Sequence, residues 1–375
     1  MNHFIQNSLL VVTVGAACAG CFETHPQLNE IQVVGTHNSY HVAPQPALLA
    51  ALARFEPELA TTLEYTHLPL QEQLARGARQ LEIDIFADPQ GGRYARRAGL
   101  LAIGQDPRSG LPELDEPGLK VLHIQDLDFQ THCLTFVACL RSIRSWSQAN
   151  PAHVPLMIMI EAKQDPIDDP LGLGFAVPAP FDAAELDGID REIRAVFSEN
   201  ELITPDEVRG GSSTLERAVL DRGWPSVFET RGRVLFTFLN GDAARDRYVA
   251  GHASLAGRAM FTTSPKGTPE AAFFNVNDAR ISAAQIAELV AAGYLVRTRA
   301  DIDTLEARSG DTSLQTAAFA SGAQYVSTDY LVPDPALGTG YFTALPGGSA
   351  VRCNPLASAK NCDSAHVAWL ESDRD

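Results

Sequence analysis

A (β/α)8 barrel of the TIM type, a single domain with long βα loops and a C-terminal tail, is the α/β fold class this sequence predicts. Three observations predict it. Short β-rich runs alternate with helical patterns along most of the chain. Roughly eight such strand–helix units fit the length, which is the arithmetic of the barrel. The alternative, an open doubly wound sheet, lacks the glycine-rich phosphate loop it would place after its first strand. With 375 residues, 45% of them hydrophobic, the chain can bury one large core.

Taken in order, the first element is Leu9 to Ala19, "LLVVTVGAACA", an apolar run too short to span a bilayer and ending in small residues. It reads as the centre of an export signal over residues 1–20, although no Lys or Arg precedes it; a buried N-terminal strand is the alternative. The "CAGC" ending at Cys21 resembles a bacterial lipoprotein cleavage site, with Cys18 where a leucine is usual. Cys21 is thus the expected lipid anchor of a cell-surface lipoprotein, secretion without lipid being the other outcome of export. No transmembrane helix is expected.

The barrel is expected over residues 28–331. Its strands are read at 31–35, 80–86, 119–124, 155–161, 233–239, 258–263, 294–298 and 323–328. Between them lie stretches such as "LLAALARFEPELATTL", "FVACLRSIRSWSQA", "FDAAELDGIDREIRAVFSE" and "SAAQIAELVAAG". Each spaces its apolar residues three and four apart, as an amphipathic helix does. The Gly-, Pro- and Arg-rich stretch 87–118 and the stretch "DPIDDPLGLGFAVPAP" both follow strands. In a barrel they become long βα loops over the C-terminal mouth, where active sites form. Residues 332–375 are Pro- and Gly-rich at first and read as a tail.

Six cysteines are present, at 18, 21, 133, 139, 353 and 362. Export would leave two close pairs, Cys133 with Cys139 and Cys353 with Cys362, which read as short-loop disulfides in an oxidising compartment. Their spacing does not match a zinc site, and free buried thiols are the alternative. The net charge of −17 argues against nucleic acid and against a generic anionic-membrane surface. An anionic substrate stays open where a metal supplies the local positive charge.

Four successive predicted strands deliver polar groups to one end. "VVGTHNSYH" runs from a strand into His37 and Asn38, and "QLEIDIF" places Glu82 and Asp84 on one face, two residues apart. "KVLHIQDLD" places His123 at a strand end, and "PLMIMIEAK" ends in Glu161 and Lys163. Three carboxylates gathered in one place would repel one another and hold their protons, a conflict that a divalent cation removes. All-oxygen ligands from Asn38, Glu82, Asp84 and Glu161 suit calcium or magnesium rather than zinc. The histidines are left for proton transfer beside a phosphate. Singly, each residue is weak evidence, since a lone strand-end Glu is more often a surface charge; their joint placement carries the reading.

With "GTHNSYH", "EIDIF", "VLHIQDLD", "WSQANPAHVPLMIMIEAK" and "VRTRADIDTLEARSGD…SGAQYVSTDY", the chain resembles the bacterial calcium-dependent phosphoinositide-specific phospholipase C family over 28–331. In that superfamily a TIM-type barrel ends its first strand in His-Asn and carries Glu-x-Asp on the second. A His ends its third strand and a Glu its fourth. The resemblance implies Ca2+ as cofactor, held by Asn38, Glu82, Asp84 and Glu161, with His37 and His123 as catalytic histidines. It implies a phospholipid substrate of the phosphatidylinositol type, met at a membrane interface and cleaved to diacylglycerol and a cyclic inositol phosphate. The inositol 2-hydroxyl would attack with Glu82, another metal-bound carboxylate or His37 as base, and His123 would protonate the leaving oxygen.

Glycerophosphodiester phosphodiesterases share the barrel and the Glu-x-Asp strand, but have His-Arg-Gly and His-Asp where this chain has His37-Asn38-Ser39 and His123-Ile124. A metal-dependent hydrolase of soluble phosphodiesters is the alternative function. An inactive barrel used for binding is disfavoured, because every metal and histidine position is filled. Lys163 and Arg299 are read as substrate-binding cations, with ion pairs to nearby carboxylates as the alternative. His41 is read as positioning its loop.

Overall fold

The computed structural model describes residues 25–357 and 362–372; the export segment, with Cys18 and Cys21, lies outside them. Eight parallel strands form a nearly closed barrel: β1 (Ile31–Thr36), β2 (Gln80–Phe86), β3 (Leu156–Lys163), β4 (Val234–Phe238), β5 (Met260–Thr262), β6 (Phe273–Asn275), β7 (Leu295–Arg299) and β8 (Tyr325–Thr328). A ninth, β9 (Val351–Cys353), runs antiparallel to β1. Around the barrel the order is β5-β4-β3-β2-β1-β8-β7-β6, and a parallel bridge from Thr263 to Phe273 joins its two ends. The longest strands read as apolar runs because parallel strands are covered on both faces; every residue of β2 is buried.

Seven strands fall where the sequence places them, and one does not. Residues 119–124 are no strand. Lys120 exchanges both backbone hydrogen bonds with Phe86, antiparallel across the end of β2, while β3 takes the edge of β2 along seven residue pairs, Gln80↔Met157 to Phe86↔Lys163. A parallel neighbour needs a crossover that carries the chain back down the barrel. Residues 87–118 contain only short 3-10 turns, Ala98–Ile103 and Pro112–Leu114, so the chain comes back antiparallel. The descent is made by the helix Phe136–Ala149, whose first turn is capped by Thr135. The eighth parallel strand is instead β6, three residues reached from β5 without a helix.

The β1–β2 ladder has a single residue pair, Gly35↔Gln80. A Cβ on Gly35 would lie 2.5 Å from the Gln80 backbone oxygen and 2.4 Å from its Cβ, so glycine is what lets these strands meet. Below that point they part, and β9 fills the gap: Val33 pairs with Tyr325 on one side and Val351 on the other. The helix Ser364–Ser372 follows. Its Glu371 binds Arg79, just before β2, and the Val154 amide, just before β3. From β9 onward the described tail therefore packs under the barrel floor, whereas Tyr341 and Thr343 before it bond Ala300 O and Tyr330 O at the mouth end of β7 and β8. Disulfides join Cys133 to Cys139 and Cys353 to Cys362. No helix among the described residues is long and apolar enough to cross a membrane.

Candidate active site

His37 and Asn38 form the turn that leaves β1 at the mouth. The His37 amide donates to Thr328 O, and Asn38 takes the left-handed conformation (φ 46°) that asparagine tolerates better than most residues. Ser39 fastens this turn to the middle of β2: its amide donates to Glu82 O, and its hydroxyl accepts from the Glu82 amide at 2.8 Å. The buried Asn38 side chain gives its amide nitrogen to Tyr65.

Register builds the carboxylate cluster. Asp84 on β2 stands opposite Glu161 on β3, and Glu82 lies one pleat below. Oxygens from Glu82, Asp84 and Glu161 lie within 4.8 Å of one another. Glu82 gives one oxygen to Arg297 at 2.7 Å, and its other lies 3.8 Å from His37 Nε2. Asp84 is fully buried with neither oxygen hydrogen-bonded; Lys163 Nζ comes within 3.2 Å of one of them, off the hydrogen-bonding line. Burial pushes the Asp84 carboxyl up to about 7, with Lys163 opposing the shift and Glu161 adding to it. Lys163 also meets Glu161 at 2.9 Å, and these two carboxylates outweigh burial to raise its own pKa.

The two histidines each have a carboxylate behind them. His37 Nδ1 binds Asp329 at 2.8 Å, and Asp329 takes Arg299 on its other oxygen at 2.7 Å. Burial would raise the Asp329 pKa, but His37 and Arg299 together pull it far below the usual range. His123 Nδ1 binds Asp128 at 2.8 Å. That pair closes a tight turn, in which Ile124 and Asp128 exchange backbone hydrogen bonds and Asp126 takes φ 65°. His37 is held down to about 4, by burial first and then by Arg299. His123 is shifted upward instead, since Asp128 outweighs burial.

The candidate metal, histidine and substrate-binding residues read from the sequence border this one mouth, but not all in the same way. His37, Asn38, Glu82, Asp84, Glu161 and Lys163 gather on the adjoining ends of β1, β2 and β3. His123 comes from a loop turn rather than a strand end, and Arg299 faces Asp329 rather than the open side of the cluster. Sequence reasoning missed Asp128, which also binds the buried His41 at 2.7 Å. Its five-residue spacing from His123 was the available signal, but Asp126 in the same turn gave no basis for choosing between them. Arg297 is likewise committed, to Glu82, Asn275, Asn277 and Ser327.

Residues 27–355 match the model of a family described as phosphoinositide phospholipase C, Ca2+-dependent. The chain belongs to that family. This phospholipase C is thus a calcium-dependent enzyme that cleaves phosphatidylinositol-type lipids to diacylglycerol and an inositol phosphate, which sets it apart from the glycerophosphodiester phosphodiesterases. Its fold is similar to that of a calcium-dependent phosphoinositol-specific phospholipase C from Pseudomonas sp.. Identity there is 15%, coverage 87% of this chain and 95% of the other, and the TM-score 0.54. The same Pseudomonas enzyme in its myoinositol complex gives 15%, 88%, 96% and 0.55. A Ca2+-dependent phosphatidylinositol-specific phospholipase C from Streptomyces antibioticus gives 18%, 84%, 96% and 0.51. The search of curated proteins found no match.

Calcium, the cofactor of this phospholipase C, fits the residues present. The Asp84 oxygens are buried and without hydrogen bonds, which is costly for a carboxylate with nothing bound to it. The neighbouring donors are hard oxygens, as calcium prefers, and the Lys163 ammonium already leans on the same two carboxylates as a partial substitute for a cation.

Proposed function

We propose that Asn38, Glu82, Asp84 and Glu161 hold the calcium ion and that His37 and His123 move the protons on either side of it. Bound there, calcium would supply positive charge to the phosphate and lower the pKa of the inositol 2-hydroxyl. His37 Nε2, with Glu82 beside it, takes the proton from that hydroxyl. The freed oxygen attacks phosphorus, the bond from phosphorus to the glycerol oxygen breaks, and His123 Nε2 delivers its proton to that departing oxygen. Diacylglycerol and a cyclic inositol phosphodiester result. Lys163 places its charge against the phosphate directly, and Arg299 adds charge from behind Asp329.

The observation that carries this reading is the matched pair of imidazoles. Each has Nδ1 held by a carboxylate, which fixes the tautomer and leaves Nε2 for the substrate. We further infer that residues 1–20 direct export and that Cys21 carries lipid, a reading supported by the two disulfides and tested by whether Cys21→Ser releases the protein from the cell envelope.

The leaving group tests the assignment. His123→Ala should slow cleavage of phosphatidylinositol by about 10²–10⁴-fold, the usual worth of general acid catalysis. A nitrophenyl inositol phosphate, whose leaving group departs as a stable anion, should lose far less. His37→Ala should slow both substrates alike. Equal losses for His123→Ala on the two substrates would remove it from the acid role.

A further inference from the structure

An apolar groove of about 270 Å³ opens beside the turn that carries His123. Three excursions at the mouth build it: the helical segments after β1, the 3-10 turn Ala98–Ile103 after β2, and the loop after β3. Its lining includes Ile124 and Leu127, from the turn that carries His123. Of its seventeen lining residues, all but Glu56, Asp168 and Asp169 are apolar or glycine, and Phe55 and Leu171 are more than half exposed.

The walls are fixed to His123 through one buried carboxylate. Asp126, three residues past His123, accepts the Ala98 amide on one oxygen and the Ala176 amide on the other, both at 2.6 Å. This holds the His123 turn, the 3-10 turn and the loop after β3 in one register. Asp169 is spent inside its own loop, where it accepts the amides of Leu173, Gly174 and Phe175. The remaining charges, Glu56 and Asp168, are acidic and exposed, so the groove suits neither a phosphate nor an inositol phosphate. It suits an uncharged hydrocarbon, and it starts one residue from the imidazole that faces the departing glycerol oxygen.

We propose that this groove holds one acyl chain of the substrate lipid, positioning the glycerol oxygen against His123. The inference rests on the role of His123 given above. Each methylene removed from water is worth roughly fourfold in binding, so chain length should be read out in kcat/KM even for lipid that is not in a bilayer.

The test uses short-chain phosphatidylinositols kept below their micelle concentrations, with glycerophosphoinositol or a nitrophenyl inositol phosphate as chain-free substrate, all with calcium. In the unaltered protein kcat/KM should climb with chain length by up to roughly fourfold per methylene until the groove is full. Ala102→Trp, which fills the groove from an exposed position, and Leu171→Asp, which charges its rim, should flatten that climb. Both should leave the chain-free substrate within about twofold, which also reports an intact fold. An unchanged climb in both variants, or no climb in the unaltered protein, would overturn the inference while leaving the assignment of the active site standing. A loss confined to vesicles would make the groove a membrane-inserting face and overturn it too. No cleavage of any substrate would bring down the assignment and the inference together.

Discussion

Lys163 has two parts in the charge balance of the site: it pairs with Asp84 and Glu161, and the proposed mechanism sets it against the bound phosphate. Removing it should separate those effects. Lys163→Met takes a like charge away from an incoming cation, so calcium affinity should rise by several-fold, while kcat falls by at least tenfold from the loss of phosphate contact. Titration calorimetry and steady-state kinetics on one preparation check both, and a variant that binds calcium more weakly would show that Lys163 supports the metal instead. Asp84 makes one distinct contribution to the pH behaviour of the calcium-free protein. Its carboxyl is raised, by burial first, to about 7 in the folded chain, against about 3.9 when unfolded. At this site the folded state thus holds a proton that the unfolded chain has lost, and the stability Asp84 contributes should be lost as pH rises from about 4 through 7, against the opposite trend of His37, His67 and His153, which burial holds down to about 4. On the proposed ligand set, calcium must displace that proton. Its binding should therefore weaken as pH drops below 7, and the rise in Tm it produces should be larger at pH 8 than at pH 5, as scanning calorimetry at the two pH values would show.

At the scale of strands, Gly35 controls how close the His37–Asn38 turn comes to Glu82. Gly35→Ala would push a methyl group into the Gln80 backbone, which cannot swing aside as a side chain can, so the strands must separate. A loss of about 1–3 kcal/mol is expected, read from urea unfolding, together with weaker calcium binding because the proposed ligands sit on the two strands forced apart. Calcium affinity unchanged at lowered stability would mean that the turn is held by Ser39 alone. This contact also marks where the sequence stops being legible. Glu82 and Asp84 could be placed on one face from the two-residue period of β2, and Glu161 from the end of an apolar run, because those are local patterns. The strand at 119–124 looked as convincing, since "KVLHI" is as β-prone as the others; what excluded it was the absence of a returning helix in 87–118, a property of the connection. β6 was missed for the opposite reason: three residues are too few to show a period. Asp128 and Asp329 could not be assigned to their histidines, because the pairings depend on how a turn closes and on which strand lies beside β1.

The whole molecule is closed from below by its last residues. Arg79 is buried, and its guanidinium meets Glu371 from the far end of the chain. Glu371→Ala would leave that charge buried and unpaired, at a cost of roughly 3 kcal/mol. Adding Arg79→Ala should recover part of the loss, and a double-mutant cycle in urea measures the coupling. Purely additive losses would show that the tail is held by β9 and the disulfide instead. The active site should be spared in either case, since it lies at the opposite end of the strands.

That separation has a bearing on where the enzyme can work. His25, the first described residue, stacks on Phe228 and on His366 of the tail helix, so the chain enters at the floor. From Cys21 to His25 is a tether of four residues, at most about 14 Å long, while the seven residues of β2 alone rise about 23 Å. A lipid on Cys21 would therefore press the floor against the membrane that carries it and leave the mouth looking outward. An enzyme held upright in this way is out of reach of the lipids beneath it. With Cys21 lipidated, as proposed, its targets would be bilayers brought to the cell from outside: a neighbour, a host or a vesicle that drifts into range.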